Sequence, residues 1–320
     1  MYPIIQVPDE APEQPEQLGT KWKFWYYWGD NKQRWLFKEG RPNTGENWAE
    51  KVCCELCALL CIPHGHYEFA VWKDHHGVVT PTFVPEDGRL ILGNELLAKF
   101  VADYDGERRV RVHKHTLARV MAVIHGPTRF AVKVPLPHGV GTVIRPAPMD
   151  MPLGYAPPAE IMTVSGVFVG YLMLDALVGN QDRHDENWGL ILTGNGSLAL
   201  APTFDHASSL GRNEQDAERS VRLTTRDQRR SVERYVERAK SALYRAVGEN
   251  PLTTLAAFQD AARLVPEAGK YWLQQLAATS LADYRRIFDN VPATEISEPA
   301  RDFALRMLEI NRSRLLQSQD

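Results

Sequence analysis

The chain has 320 residues, 44% hydrophobic and 24% charged, with a formal net charge of -3 and a pI near 6.4. That length suffices for one large domain or two lobes, each with its own core, and the near-balanced charge exerts no broad pull on nucleic acid, so nucleic-acid binding is not expected. Met1-Tyr2-Pro3-Ile4-Ile5-Gln6 has no basic n-region, and the longest nearly uncharged apolar stretch, Ile161 to Leu174, is too short to span a bilayer, so the expected location is cytoplasmic, with no membrane partner.

Residues 1–17 hold Pro3, Pro8, Pro12 and Pro15 among acidic side chains and predict a disordered or loosely attached tail. Lys23-Phe24-Trp25-Tyr26-Tyr27-Trp28 and Arg34-Trp35-Leu36-Phe37-Lys38, separated by Gly29-Asp30-Asn31-Lys32, predict two strands joined by a turn. Asn43-Thr44-Gly45-Glu46 carries helix-start chemistry, and Trp48, Val52, Leu56, Leu59 and Leu60 then recur at helical spacing up to Ile62-Pro63. All four cysteines lie in this segment, and Cys53, Cys57 and Cys61 share one face, which suits a packed helix in a reducing environment better than a disulfide framework. Strand-like runs at Tyr67 to Trp72 and Val78 to Val84 complete a small antiparallel sheet with one main helix.

Seven prolines between Pro135 and Pro158 predict an irregular connector, followed by a buried helix from Ile161. Beyond residue 231 the pattern is mostly helical, with stripes at Leu255, Phe258, Ala262 and Val265 and at Phe303, Met307 and Ile310. These elements predict an α+β, two-lobed protein-kinase-like fold. Residues 18–86 would form a β-rich N-lobe, and residues 87–320 a mainly helical C-lobe with the connector at 135–158.

The richest segment is Asn180-Gln181-Asp182-Arg183-His184-Asp185-Glu186-Asn187, followed by Phe204-Asp205-His206, with Asp205 eighteen residues after Asn187. Phosphoryl transfer needs a carboxylate for the attacking hydroxyl and oxygen ligands for magnesium on the nucleotide phosphates. The spacing D-x-x-x-x-N puts Asp182 and Asn187 on one loop, and the runs Leu190-Ile191-Leu192 and Leu198-Ala199-Leu200-Ala201 read as a hairpin returning the chain to Asp205. Lys38, at the end of a strand, could reach phosphates if a carboxylate aims it, and the next helix offers Glu46, Glu50 and Glu55, of which Glu50 is preferred. His184 is placed as a residue that orders the catalytic loop.

Gly179 to Trp188, Ala201 to Gly211, Leu36-Phe37-Lys38 and Gly45 to Lys51 together resemble the HipA-like serine/threonine kinase family, over about residues 18–245. The Asp-Arg-His-x-x-Asn form is shared with phosphoinositide 3- and 4-kinases, more distant relatives by fold. The resemblance implies ATP and Mg2+ as cofactors, Asp182 as the catalytic aspartate, Asn187 and Asp205 as magnesium ligands, and Lys38 with Glu50 as the phosphate-binding pair. Gly19-Thr20-Lys21 resembles the phosphate-binding loop, with Thr20 a candidate for self-phosphorylation, and Phe83 in Pro81-Thr82-Phe83-Val84 marks the adenine-facing hinge. The implied substrate is a protein with a Ser/Thr acceptor, of which a translation factor or aminoacyl-tRNA synthetase is suggested by the family alone. The kinase pattern begins almost at once, without the additional N-terminal subdomain of HipA-type toxins, which argues against an antitoxin partner. Phe204-Asp205-His206 stands where many kinases have Asp-Phe-Gly. Two other readings stay open: a lipid or small-molecule kinase, and a nucleotide-binding pseudokinase acting as an interaction module.

Overall fold

The computed structural model describes residues 1–12, 14–15, 23–29, 33–102, 104, 112–125, 128–136, 139–147 and 149–317. The N-terminal part contains β1 (Ile4–Val7), β2 (Gln14–Pro15), β3 (Lys23–Trp28), β4 (Gln33–Glu39), α1 (Glu46–Leu59), β5 (Glu68–Trp72) and β6 (His75–Pro81). The strands form one sheet in the order β1-β5-β6-β4-β3-β2. Its pairings are antiparallel except that of β1, which lies parallel to β5 with Ile4 opposite Phe69 and Val7 opposite Trp72.

Part of the expected disordered tail is therefore an edge strand. Proline is tolerated at an edge because Pro3 and Pro8 flank the strand and remove no interior ladder bond. The segment is fastened by its own polar groups: the Trp72 indole N–H donates to the Asp9 carbonyl at 3.3 Å, and the Tyr2 N–H donates to the Asn290 carbonyl at 2.7 Å. Val7 joins Phe24, Tyr26, Phe37, Ala70, Trp72 and Val79 in a core on one face of the sheet. Along β4 the side chains alternate, so Phe37 enters that core while Leu36 and Lys38 face the opposite side.

Helix α1 ends at Leu59, before Pro63. The stop is made by Cys61, whose φ of 56° is left-handed, with the Ile62 N–H turned back to the Cys57 carbonyl at 2.9 Å. All four cysteines are free; Cys53, Cys54 and Cys57 are buried and Cys61 is exposed.

The rest of the chain contains β7 (Arg89–Leu92), α2 (Gly93–Phe100), α3 (Leu117–His125), β8 (Thr128–Leu136), β9 (Gly139–Ala147), β10 (Met149–Asp150), α4 (Val164–Val178), β11 (Gly189–Leu192), β12 (Leu198–Leu200), α5 (Asp216–Thr224), α6 (Val232–Glu237), β13 (Lys240–Tyr244), β14 (Pro251–Thr253), α7 (Thr254–Leu264), α8 (Pro266–Ala278), α9 (Leu281–Asp289) and α10 (Glu298–Gln317). The proline-rich connector is a second correction, because β8 and β9 pair from Thr128 opposite Ala147 to Leu136 opposite Gly139. Pro135 and Pro146 fit this hairpin because a two-stranded ribbon has two open edges, where an amide without a ladder partner is tolerated.

Every residue of α4 is buried, as expected of a helix apolar all round, and the main core forms around it. The Thr163 hydroxyl caps its start by accepting from the Gly166 N–H at 3.1 Å. Gly170 lets an aromatic ring reach the helix backbone: a Cβ there would lie 2.4 Å from Trp272, whose indole N–H donates to the Gly166 carbonyl at 2.8 Å. The helix ends on Gly179 at φ 65°, a conformation that costs glycine little, and so delivers Asn180 and the following loop to a fixed place. The hairpin of β11 and β12 leaves this loop and sits in the sheet β10-β12-β11-β7. No helix among the described residues is long and apolar enough to cross a membrane.

Candidate active site

A cleft of about 530 Å3 is lined by Lys38, the 80–84 segment and the loop residues Asp182, His184, Asn187 and Asp205. The loop that carries the carboxylates is held from below by a buried polar network. The Arg183 guanidinium, 1% exposed, donates to both Asp175 oxygens at 2.8 and 2.7 Å, to the Asn187 carbonyl at 2.8 Å, and faces His206 Nε2 at 3.3 Å. The Asn180 amide donates to the same Asp175 at 2.8 Å. Burial alone would pull the Arg183 pKa down, but the Asp175 carboxylate raises it overall, so the guanidinium stays charged. His206 is held well below its ordinary value by burial and by the nearby Arg183 charge, so it is neutral.

Above this network the loop closes on itself. The Asp182 N–H donates to Asn180 Oδ1 at 3.0 Å, and the Asn187 side-chain N–H donates to the Asp182 carbonyl at 2.7 Å, which turns Asn187 Oδ1 away from that bond. His184 Nδ1 accepts from the Glu186 N–H at 3.1 Å, which places the ring proton of the neutral imidazole on Nε2, 3.7 Å from Asp182 Oδ1. His184 thus tethers the loop. The other Asp182 oxygen, Oδ2, accepts from the Ser208 hydroxyl at 3.1 Å, and Ser208 in turn accepts from Arg212 at 3.1 Å. Burial and the neighbouring Arg41 charge lower the Arg212 pKa to about 10. Glu46 forms ion pairs with both Arg41 and Arg212 at this end of the cleft.

Lys38 enters from β4, with Nζ 2.8 Å from Asp205 Oδ1 and 3.7 Å from Glu50 Oε2. Burial would favour the neutral amine, yet the Asp205, Tyr67 and Glu50 groups around it push the Lys38 pKa upward, so it remains an ammonium. Glu50 Oε1 accepts from the His206 N–H at 2.7 Å, so one buried carboxylate touches both the lysine and the backbone beside Asp205. Asp205 has a φ of 59°, a left-handed conformation that aspartate adopts more readily than most residues. Phe83 lies at the far end of the cleft, its ring 5.6 Å from Phe204.

The geometry therefore gathers Lys38, Glu50, Phe83, Asp182, His184, Asn187 and Asp205. Gly19, Thr20 and Lys21 lie outside the described residues. Sequence reasoning did not single out Ser208, Arg212, Asn180 or the Asp175–Arg183 pair, although Arg183 and Ser208 stand within the motifs that were read. Among the described residues no group of three His, Cys, Asp or Glu side chains could hold a metal by itself. Asn187 and Asp205 are an oxygen pair of the kind that suits magnesium, which keeps waters and phosphate oxygens as its remaining ligands, so this donor set fits a magnesium–nucleotide complex and not a free structural ion.

No protein-family model matches the chain, and no curated protein matches it. Among solved structures it is similar to a Helicobacter pylori proinflammatory kinase, CtkA, at 17% identity and a TM-score of 0.68, over 99% of this chain and 100% of that one. It is also similar to HipA of Shewanella oneidensis MR-1, solved with HipB and operator DNA, at 11% identity and a TM-score of 0.51, over 97% of this chain and 67% of that one. The chain has the α+β, two-lobed fold of HipA-like kinases that its motifs led one to expect.

Proposed function

We propose that the chain is an ATP- and Mg2+-dependent kinase that phosphorylates a serine or threonine hydroxyl of a protein. The observation that carries this reading is the convergence of the Lys38 ammonium, held at 2.8 Å by Asp205 and backed by Glu50, with Asp182 and Asn187 in one cleft. Mg-ATP, when bound, supplies the γ-phosphoryl group and neutralises its charge. Lys38 would bind the phosphates, Asn187 and Asp205 would hold the magnesium, and the 81–84 segment with Phe83 would border the adenine. Asp182 accepts the hydrogen bond of the incoming hydroxyl and orients its oxygen, while Ser208 holds one oxygen of its carboxylate and His184 stands 3.7 Å from the other. Catalysis of this kind is mostly positioning and charge neutralisation.

Asp182→Asn tests the assignment. The variant should bind Mg-ATP, seen as an increase in melting temperature, yet lose at least about 100-fold in labelled phosphate transferred to protein in a host lysate. Wild-type turnover by Asp182→Asn would overturn the role of Asp182. Label entering only lipid or small molecules would replace the protein substrate, and Mg-ATP binding with no labelled product from the wild type would make the chain a pseudokinase.

A further inference from the structure

Gln181, the residue before Asp182, lines a second cavity of about 190 Å3 whose wall also includes Arg222, Arg229, Arg234, Arg238 and Tyr235. Four guanidiniums converging on so small a volume repel one another, so the charges that offset them decide what the cavity can take. Arg222 donates to Glu214 at 2.7 Å, lies 3.5 Å from Glu218 and stands over the Tyr235 ring at 5.1 Å. Arg234 pairs with Glu237 at 3.0 Å. Arg229 and Arg238 have no ion pair within the described residues. Arg222 and Arg234 are thus held by carboxylates, while Arg229 and Arg238 are left to meet an anion such as a phosphate monoester. The volume admits one side-chain phosphate and a few waters. Tyr235 is fixed by edge-to-face packing on Phe303 at 5.2 Å, which gives the cavity a rigid floor.

We propose that this cavity is a docking subsite for a phosphorylated side chain of the protein substrate, located beside the acceptor position. The proposal rests on the kinase reading of the neighbouring cleft. Adjacent residues of one loop, Gln181 and Asp182, line the two cavities, so the docking subsite and the acceptor position share that loop. The kinase therefore selects segments that already carry a phosphate, and the arginines contribute to substrate affinity while leaving nucleotide binding alone.

The test is fluorescence anisotropy with a labelled Gly-Ala-Xaa-Ala-Gly peptide in which Xaa is phosphoserine, glutamate or serine. The full chain should bind the phosphoserine peptide at least about tenfold more tightly than the other two. Arg229→Ala with Arg238→Ala should remove that preference, whereas Arg226→Ala with Arg285→Ala, two exposed arginines outside the cavity, should keep it at the same loss of net charge. Equal binding of the three peptides, a phosphoserine preference that survives the cavity variant, or loss of it in the control variant overturns the proposal. A single-stranded RNA oligomer bound through Arg229 and Arg238 in place of the phosphopeptide also overturns it. Stabilisation of the wild type by Mg-ATP is measured in parallel: phosphopeptide discrimination can fail while that stabilisation stands, and the docking site then falls without the kinase reading.

Discussion

Replacing Arg183 by methionine keeps most of the side chain's volume and removes its charge. Asp175, 3% exposed, would then retain only the Asn180 amide as a polar partner, and the Asn187 carbonyl would lose its guanidinium donor. Removing one member of a buried ion pair costs about 3–5 kcal/mol, mainly because the partner charge is stranded away from water. At about 2–4 °C per kcal/mol for a chain of some 150–250 residues, the loss corresponds to a fall of roughly 6–20 °C in melting temperature, toward the lower end for this longer chain. Urea unfolding followed by circular dichroism measures the loss. Asp175→Asn combined with Arg183→Met removes the stranded charge, and the double variant should recover most of the stability lost by the single one. If Arg183→Met stays within about 1 kcal/mol of wild type, or the double variant is no more stable than the single, the network does not hold the loop of residues 180–187 as argued.

Gly170→Ala places a methyl group 2.4 Å from the Trp272 ring and should cost about 1–3 kcal/mol in urea unfolding, since neither the buried helix nor the indole has room to move. Lys38→Met should abolish the rise in melting temperature produced by Mg-ATP, because Asp205 and Glu50 would then repel the phosphates with no ammonium between them. His115 donates from Nδ1 to the Ala242 carbonyl and accepts at Nε2 from the Trp188 indole at 3.0 Å, and burial holds its pKa down at about 4 against an ordinary 6.5. Between pH 6.5 and 4 the unfolded chain binds a proton that the folded one refuses, so stability falls on acidification, by up to on the order of 3 kcal/mol. His115→Gln can keep both hydrogen bonds and should flatten the urea midpoint between those pH values; the neutral His206 has the same sign and leaves a residual slope.

Lys38, Glu50, Asp182, Asn187 and Asp205 were legible because their chemistry is local: a strand-end lysine, a helix one turn in, and a loop with fixed spacing. What supports them was not. Asp175 stands near the end of an apolar run and reads there as the close of a helix, yet it anchors two side chains of the next loop. Sequence shows that a polar residue will be buried but not which partner satisfies it, because Arg183 and His206 reach the network through tertiary packing. The tail was misread for a related reason. Four prolines outweighed the short run Ile4-Ile5-Gln6-Val7, and its partner strand begins more than sixty residues further on, at Glu68. In the connector, proline was taken as a bar to any strand, whereas a two-stranded hairpin accepts it at an open edge.

Glu50 joins two parts of the fold. One oxygen faces the lysine of the N-terminal sheet, and the other takes the amide beside Asp205 in the helical part. A rigid shift of α1 would thus loosen both contacts of Glu50 together, leaving the 2.8 Å pair of Lys38 with Asp205 as the link between the two parts. On the proposed kinase reading, the side chains set to hold the phosphates and the magnesium therefore share one anchor on α1.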